Sequence, residues 1–302
     1  MQTVRTPGSA RAIARTLRRP VGFVPTMGAL HAGHLALVER AQSENASVVA
    51  SIFVNPRQFA AGEDFETYPR TFERDAEQLQ ALGADLLYAP SPERMYPVGF
   101  CSSIDVGEVG RVFEGARRPG HFAGVATVVS KLLHAIEPTS LYLGQKDAQQ
   151  VFVLRTLVRD LDMPTNVVVV PTVRERDGLA LSSRNVYLGA DERIAAPSFQ
   201  RALGLVAAAV AGGETDPERA CAAGAGCLEA PLRWDYLAIV DPKTFCEASR
   251  CEPPALVIGV VFAGETRLLD NVPVPVPGGL DPIVTPPRPR LVAVTAAVRT
   301  VR

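Results

Sequence analysis

The sequence carries no surplus of charge of either sign: 31 Lys and Arg stand against 32 Asp and Glu, a net charge of −1. Proteins dedicated to nucleic acid usually show a strong basic excess, so no nucleic-acid partner is expected. A balanced surface suits a metabolic enzyme, although a near-zero total leaves room for local patches. No apolar run approaches the roughly 18 residues that a membrane span needs, so no membrane association is expected. The Arg-rich stretch 1–20 lacks the contiguous apolar core of a secretory signal, and Ala12, Ile13 and Leu17 fit an ordinary first helix instead. Cysteine is sparse and badly spaced for cross-linking. Cys101, Cys221, Cys227, Cys246 and Cys251 are odd in number and form no C-x-x-C pair. That pattern argues against a disulfide framework and a zinc site, and for free thiols in a reducing cytoplasm.

What is present is ordinary globular material: 302 residues, 47% hydrophobic and 21% charged, enough for two compact domains. Short β-rich runs at 21–24, 48–54, 85–88, 140–143 and 166–170 alternate with helical spacing at 33–45, 71–82, 125–136 and 149–161. Strands alternating with helices imply parallel pairing. The expected fold is therefore α/β, a Rossmann-like doubly wound parallel sheet over 1–173. Such sheets bind ligands beyond the carboxyl ends of their strands. From 174 the character changes. Ala-rich helical stretches at 195–211 and 217–230 precede β-like runs at 236–240, 256–262 and 266–269, a smaller C-terminal α+β domain over 174–272. The remainder, 273–302, opens with seven prolines in 17 residues and reads as a tail without visible chemistry.

The strongest local signal is Pro25-Thr26-Met27-Gly28-Ala29-Leu30-His31-Ala32-Gly33-His34, where a strand ends, a glycine turn follows and a helix begins. A helix N-terminus offers unpaired N–H groups and partial positive charge to a phosphate. His31 and His34 add two donors, and Gly33 would let a nucleotide approach the backbone closely. Two of the four histidines in the chain stand in this one motif. A second phosphate-binding candidate is Leu181-Ser182-Ser183-Arg184, small hydroxyls beside a cation, in a polar segment after Val173. Between them lies Gly144-Gln145-Lys146-Asp147-Ala148-Gln149-Gln150, again at a strand end, where Lys146 brings charge and Gln150 a polar amide. Further candidates are Asn55 and Gln58 in a loop after a strand, Tyr68, and Arg118 in a cationic glycine-containing loop.

The His-x-Gly-His string resembles the signature of the nucleotidyl-transfer superfamily, which includes class I aminoacyl-tRNA synthetases. Taken together, the motifs resemble the pantothenate synthetase family. They are VPTMGALHAGH, SIFVNPRQF, YPRTFERD, RRPGHFAGVATVVSKL, YLGQKDAQQ and PTVRERDGLALSSRNVYL, with WDYLAIVD and GETRLLDNV later in the chain. The resemblance covers about residues 11 to 272.

It implies a ligase that joins pantoate to β-alanine at the expense of ATP, through a pantoyl adenylate, releasing AMP and pyrophosphate. Carried over by position, residues 27–34 form the ATP loop, with His34, His31 and Lys146 catalytic. Gly144, Gln145, Lys146, Asp147, Val173 and Leu181 through Arg184 bind ATP. Gln58 and Gln150 hold pantoate, and Gln58 neighbours β-alanine. Mg²⁺ arrives on the nucleotide rather than in a resident metal site, the cover over the site comes from 60–70 or the Ser-Ser-Arg segment, and the assembly is a cytoplasmic homodimer. Two positions depart from the family: Gln145 replaces its usual Glu, removing a negative charge near Lys146, and Ala148 replaces an aromatic, removing a packing group. Rival readings are a sister nucleotidyltransferase with another substrate, a tRNA synthetase relative and a non-catalytic nucleotide binder. The amide cluster Asn55, Gln58 and Gln150 opposes the first, and the neutral charge balance opposes the second. The third would expect loss of His31, His34 or Lys146.

Overall fold

The computed structural model describes residues 1–60 and 62–286. Strand and helix alternate through its first part: β1 (Gln2–Val4), α1 (Pro7–Ala14), β2 (Val21–Thr26), α2 (Ala32–Glu44), β3 (Ser47–Ile52), α3 (Phe72–Ala81) and β4 (Leu86–Tyr88). After two short helices, α4 (Pro92–Met95) and α5 (Glu114–Arg117), come α6 (His121–Ile136), β5 (Ser140–Gly144), α7 (Ala148–Asp160) and β6 (Asn166–Val170). The six strands pair in the order β1-β4-β3-β2-β5-β6, every pair parallel. β1 escaped the sequence reading because three residues are too few to show a period. The other expected strands and helices of this part form.

Alternation along the strands divides the core in two. Phe23, Leu86 and Leu141 pack with α1, α6 and α7, while their neighbours Val24, Leu87 and Tyr142 pack with α2 and α3 on the other face. Both faces being covered, the strands are near-continuously apolar, as parallel sheets require. The chain leaves β2 toward β3 and β4 on one side, then returns to place β5 on the other side of β2. The loops after β2 and β5 therefore diverge, opening a crevice between them.

The arginines near the N-terminus have a structural use. Arg11 donates to the His134 carbonyl (3.0 Å), Arg19 to the Glu137 carbonyl (2.9 Å), and Arg15 pairs with the Glu137 carboxylate (2.9 Å). Cations thus sit on the carbonyl end of α6, where the helix dipole is negative.

The second part holds α8 (Ala190–Ala195), α9 (Pro197–Ala211), α10 (Pro217–Ala225) and an antiparallel sheet β7 (Arg233–Val240), β8 (Ala255–Ala263) and β9 (Thr266–Val274). One face of this sheet, with Val257, Val261 and Leu268, packs on Phe199, Leu203 and Val206 of α9. The other, with Ala238, Val240, Leu256 and Ile258, joins the core of the parallel sheet. α10 ends five residues before the expected 230, capped by Gly226. The expectation that no apolar stretch reaches membrane-spanning length needs amending: the 22 residues Ala190–Ala211 are long and apolar enough. Their apolar stripe, however, is the core of this small α+β layer.

The boundary expected at 273 also shifts. β9 continues to Val274, and residues 281–286 fold back onto the parallel sheet, where Ile283 is buried in its core. Residues 287–302 of the expected tail lie outside the described residues.

α6 presses against the turn Pro56–Gln58 at Gly124, where an added Cβ would stand 2.2 Å from the Arg57 carbonyl oxygen. Gly124→Ala is therefore expected to lower the free energy of unfolding by about 1–3 kcal/mol, an overpacking cost measurable by chemical denaturation.

Candidate active site

The loop after β2 turns into α2 with Gly28 and Ala29 at positive φ. It is held by a residue absent from the sequence candidates. Asp75 of α3, 1% exposed, accepts the N–H groups of Ala29 (2.8 Å) and Leu30 (2.9 Å) and the hydroxyl of Thr71 (3.1 Å). A buried carboxylate satisfied by three donors fixes the turn from behind. Asp75 lies in the quoted string 68–75, but its partner is 45 residues away and no local pattern reveals it.

His31 caps α2: its Nδ1 accepts the Gly33 N–H at 3.1 Å, and the His31 N–H reaches His34 Nδ1 at 3.4 Å. The two rings stack 4.1 Å apart. With Nδ1 an acceptor, a neutral imidazole carries its proton on Nε2, so each ring offers one N–H donor away from the backbone. Burial, reinforced by Lys146, lowers the pKa of His31 to about 4; burial, reinforced by His31, lowers that of His34 to about 3. Near neutrality both are uncharged donors.

These contacts correct the expectation of free helix-start amides. The Gly33 N–H is taken by His31, and those of Ala29 and Leu30 by Asp75. Gly33 lines the cavity and also makes room for the capping ring, because a Cβ there would come within 2.9 Å of His31. Gly28, Ala29, Leu30 and Ala32 shape the loop but do not line the cavity, and Leu30 belongs to the core.

Across the crevice, the loop after β5 presents Lys146 and Asp147, with Nζ 3.6 Å from Oδ1. Burial would raise the Asp147 pKa, but Lys146, Arg184 and His34 hold it below the usual carboxylate range. The loop is tied by a second unforeseen residue, Asn271 of β9, which donates to the carbonyls of Gln145 (2.9 Å) and Lys146 (3.0 Å). Its neighbour Asp270 pairs with Arg174 through two hydrogen bonds. Gln145 itself is not on the cavity wall. Its side chain is buried behind the loop, accepting the Thr172 N–H (3.2 Å) and donating to Asp281 (3.0 Å). Gln150 opens onto the cavity from the first turn of α7. Ala148 is buried in the core and also borders a separate cavity of about 200 Å³ beside Phe245 and Ile283.

On the third side, Gln58 donates to the Met27 sulfur (2.9 Å) and accepts from Asn55 (3.0 Å). Asn55, 1% exposed, also donates to the Gly124 carbonyl and accepts from the Tyr96 hydroxyl (2.8 Å). Its amide is thus hydrogen-bonded at both ends, with Gln58 as one partner. His121, another residue not singled out from sequence, lies 2.8 Å from the Gln58 carbonyl through Nδ1 and 3.2 Å from Arg118 through Nε2. Burial first, then Arg118, lowers its pKa to about 4.

The fourth wall is Val173 and Leu181 through Arg184. Arg184 forms two hydrogen bonds to Asp64 (2.9 and 2.8 Å), and Arg118 two to Glu63 (both 2.7 Å). Tyr68 meets the Ser183 hydroxyl at 3.2 Å. The two segments expected to cover the site are therefore fastened to one another; Ala61 lies outside the described residues.

All four walls enclose one cavity of about 260 Å³. Its acids are Glu114, Asp147 and Asp270; Glu114 and Asp270 are already paired with Arg267 and Arg174. Among the described residues, no three His, Cys, Asp or Glu side chains are grouped to hold a metal ion. Asp147 is paired with Lys146.

Comparison with known proteins gives a consistent answer. The family model for pantoate-beta-alanine ligase matches residues 2–273. A pantothenate synthetase from Thermus thermophilus is 52% identical over 277 residues, 91% of this chain and 99% of its own. One from Herpetosiphon aurantiacus is 50% identical over 275 residues, 90% of this chain and 99% of its own. The crystal structure of the Thermus thermophilus protein superposes with a TM-score of 0.86 at 51% identity, covering 91% of this chain and 100% of that one. A pantoate-beta-alanine ligase from Francisella tularensis, complexed with beta-gamma ATP and beta-alanine, gives 0.74 at 33% identity, covering 91% and 98%.

Buried His121 and half-buried His31 and His34 carry a pH signature. Their pKa values, about 3 to 4 when folded, lie below the ordinary 6.5, so the unfolded chain takes up protons first as pH falls. Their contribution to stability is complete above about pH 6.5 and declines toward pH 4. The denaturation midpoint is expected to fall across that window, and His121→Asn to flatten the fall; a midpoint independent of pH there would contradict the burial assignment.

Proposed function

The chain belongs to the pantoate-beta-alanine ligase family, and from that premise we propose that it condenses pantoate with β-alanine through a pantoyl adenylate. The observation that carries this reading is the convergence of His31, His34, Lys146, Ser182 to Arg184, Gln58 and Gln150 on one cavity at the crevice of a parallel sheet.

In the first step a pantoate carboxylate oxygen attacks the α-phosphorus of ATP. One O–P bond forms, the bond to the β-phosphate oxygen breaks, and pyrophosphate leaves. A carboxylate is already ionised at neutral pH, so the step needs no general base. It needs alignment and donors aimed where negative charge collects. The Nε2–H groups of His31 and His34, the Lys146 ammonium and the Ser182 and Ser183 hydroxyls are suited to that work, and Arg184 supplies a cation once Asp64 gives it up. Mg²⁺ carried by ATP, met by Asp147, supplies further neutralisation. Gln58 and Gln150 offer the amides that would hold pantoate's carboxylate and hydroxyls.

In the second step the neutral amine of β-alanine, beside Gln58, attacks the acyl carbon. The C–N bond forms, the C–O bond to AMP breaks, and the nitrogen sheds a proton. Water must be excluded meanwhile, which assigns the cover to residues 62–68, fastened through Glu63, Asp64 and Tyr68. A cytoplasmic homodimer completes the reading.

The test is exchange of labelled pyrophosphate into ATP with pantoate present and β-alanine withheld. Pantoate-dependent exchange is expected, and His34→Ala is expected to reduce it by about 10²–10³-fold, the scale for loss of one preorganised donor. Exchange that ignores pantoate but responds to another carboxylic acid would overturn the substrate assignment.

A further inference from the structure

Residues 281–286 lie beyond residue 273, where the family match ends, yet they are bound closely to the parallel sheet. Thr285 pairs with the free edge of β6: its N–H donates to the Val169 carbonyl (3.0 Å), and its hydroxyl accepts the Val169 N–H (3.0 Å). Arg40 of α2 donates to the carbonyls of Thr285 (3.0 Å) and Pro286 (2.8 Å), and Arg155 of α7 to that of Ile283 (2.7 Å). The Ile283 side chain is buried in the core that both sheets share.

At the head of this strap stands Asp281, and its two oxygens do different things. Oδ1 accepts the N–H groups of Ile283 (2.9 Å) and Val284 (3.2 Å), closing the strap's own turn. Oδ2 accepts from Gln145 Nε2 (3.0 Å). Gln145 is 5% exposed, and its other amide atom accepts the Thr172 N–H (3.2 Å). The residue next to Gln145 is Lys146, and both backbone carbonyls are held by Asn271. The loop that aims Lys146 is thus gripped at its backbone by β9 and at its side chain by the strap.

We propose that Asp281 is a positioning residue for the nucleotide side of the cavity, acting through Gln145 to hold the turn that carries Lys146. The inference rests on Lys146 being a nucleotide contact, as read above. A charge-assisted hydrogen bond to a buried amide is stiff, and a Gln amide satisfied at both ends has one orientation. Disturbing the acceptor frees the Gln145 side chain and, with it, the orientation of the adjoining residue.

The test is a cycle of isosteric changes in the full chain. Asp281→Asn keeps the oxygen that closes the strap's turn but turns an NH₂ toward the Gln145 NH₂. Gln145→Glu sets two carboxylates side by side. The double variant Gln145→Glu/Asp281→Asn restores one donor and one acceptor, with the direction of the bond reversed. ATP affinity by titration calorimetry, KM for ATP against kcat in pyrophosphate exchange, and melting temperature are measured for each. Each single change is expected to weaken ATP binding and raise its KM about three- to tenfold, with kcat changed less than about twofold, and the double variant to return to within about twofold of the parent. Single changes that lower the melting temperature but leave ATP affinity and KM unaltered would reduce the strap to a structural brace and overturn the proposal. So would a double variant no better than Gln145→Glu. If the unsubstituted chain fails to bind ATP, the nucleotide reading fails, and this proposal with it; that case is distinct, because all four proteins would then be silent alike.

Discussion

Two loops that leave neighbouring parallel strands in opposite directions set the terms for everything else in this molecule. β2 and β5 are adjacent, but the chain goes on from them to opposite sides of the sheet, and the space between the two departing loops cannot be filled by either connection. What the strands cannot do is hold those loops still. Each loop has backbone N–H or C=O groups that its own strand does not pair, and each finds an outside partner. For the first it is Asp75, and for the second Asn271. One buried polar side chain with its hydrogen bonds aimed at successive peptide groups does in each case what a longer stretch of regular structure would otherwise do.

The electrostatics of the site follow from burial more than from ion pairing. His31 and His34 are kept neutral by desolvation first, reinforced by Lys146 for His31 and by His31 and Lys146 for His34. Two imidazoles that cannot easily be protonated are reliable donors across the physiological pH range, because their tautomers are set by backbone N–H groups on Nδ1. The arginines are treated differently. Arg118 and Arg184 are each paired with a carboxylate from one short segment, so their charge on the wall is balanced within the protein. An incoming anion competes with Glu63 and Asp64 rather than meeting bare charge, which favours ligands that can offer several anionic oxygens at once.

Much of this was legible in the sequence, and what escaped has a common cause. The alternation of Val-rich runs with helical spacing gave the doubly wound sheet, and the motif residues His31, His34, Gln58, Lys146, Gln150 and Ser182 to Arg184 do meet at one cavity. The readings that needed changing concern what lies behind those residues. Gly33 makes room for a histidine ring as well as lining the cavity, and Gln145 faces away from the cavity it was expected to line. Asn55 lines the cavity with its amide already hydrogen-bonded to Gln58, Gly124 and Tyr96. Asp75, His121 and Asn271 were not picked out because a positioning residue shows itself by its partner, and their partners are 45, 63 and 126 residues away or nearly so. Local periodicity sees three or four residues in each direction. It finds the side chains that meet a ligand when they cluster in short motifs, and it is blind to the second ends of long-range hydrogen bonds.

The grip of Asn271 on the loop at 145–146 has a consequence for the order in which the molecule is built. The parallel sheet, from β1 to β6, is complete by residue 170, and its pairings could form while the rest of the chain is still being synthesised. The side-chain bonds of Asn271 to the Lys146 loop are missing from that fragment, since Asn271 lies in β9. Loop closure across some 125 residues is slow compared with the assembly of neighbouring strands. A growing chain therefore acquires its crevice well before the loop beside it is fixed by Asn271. The working arrangement of the site is a late event of folding, reached only when the small antiparallel layer docks against the sheet.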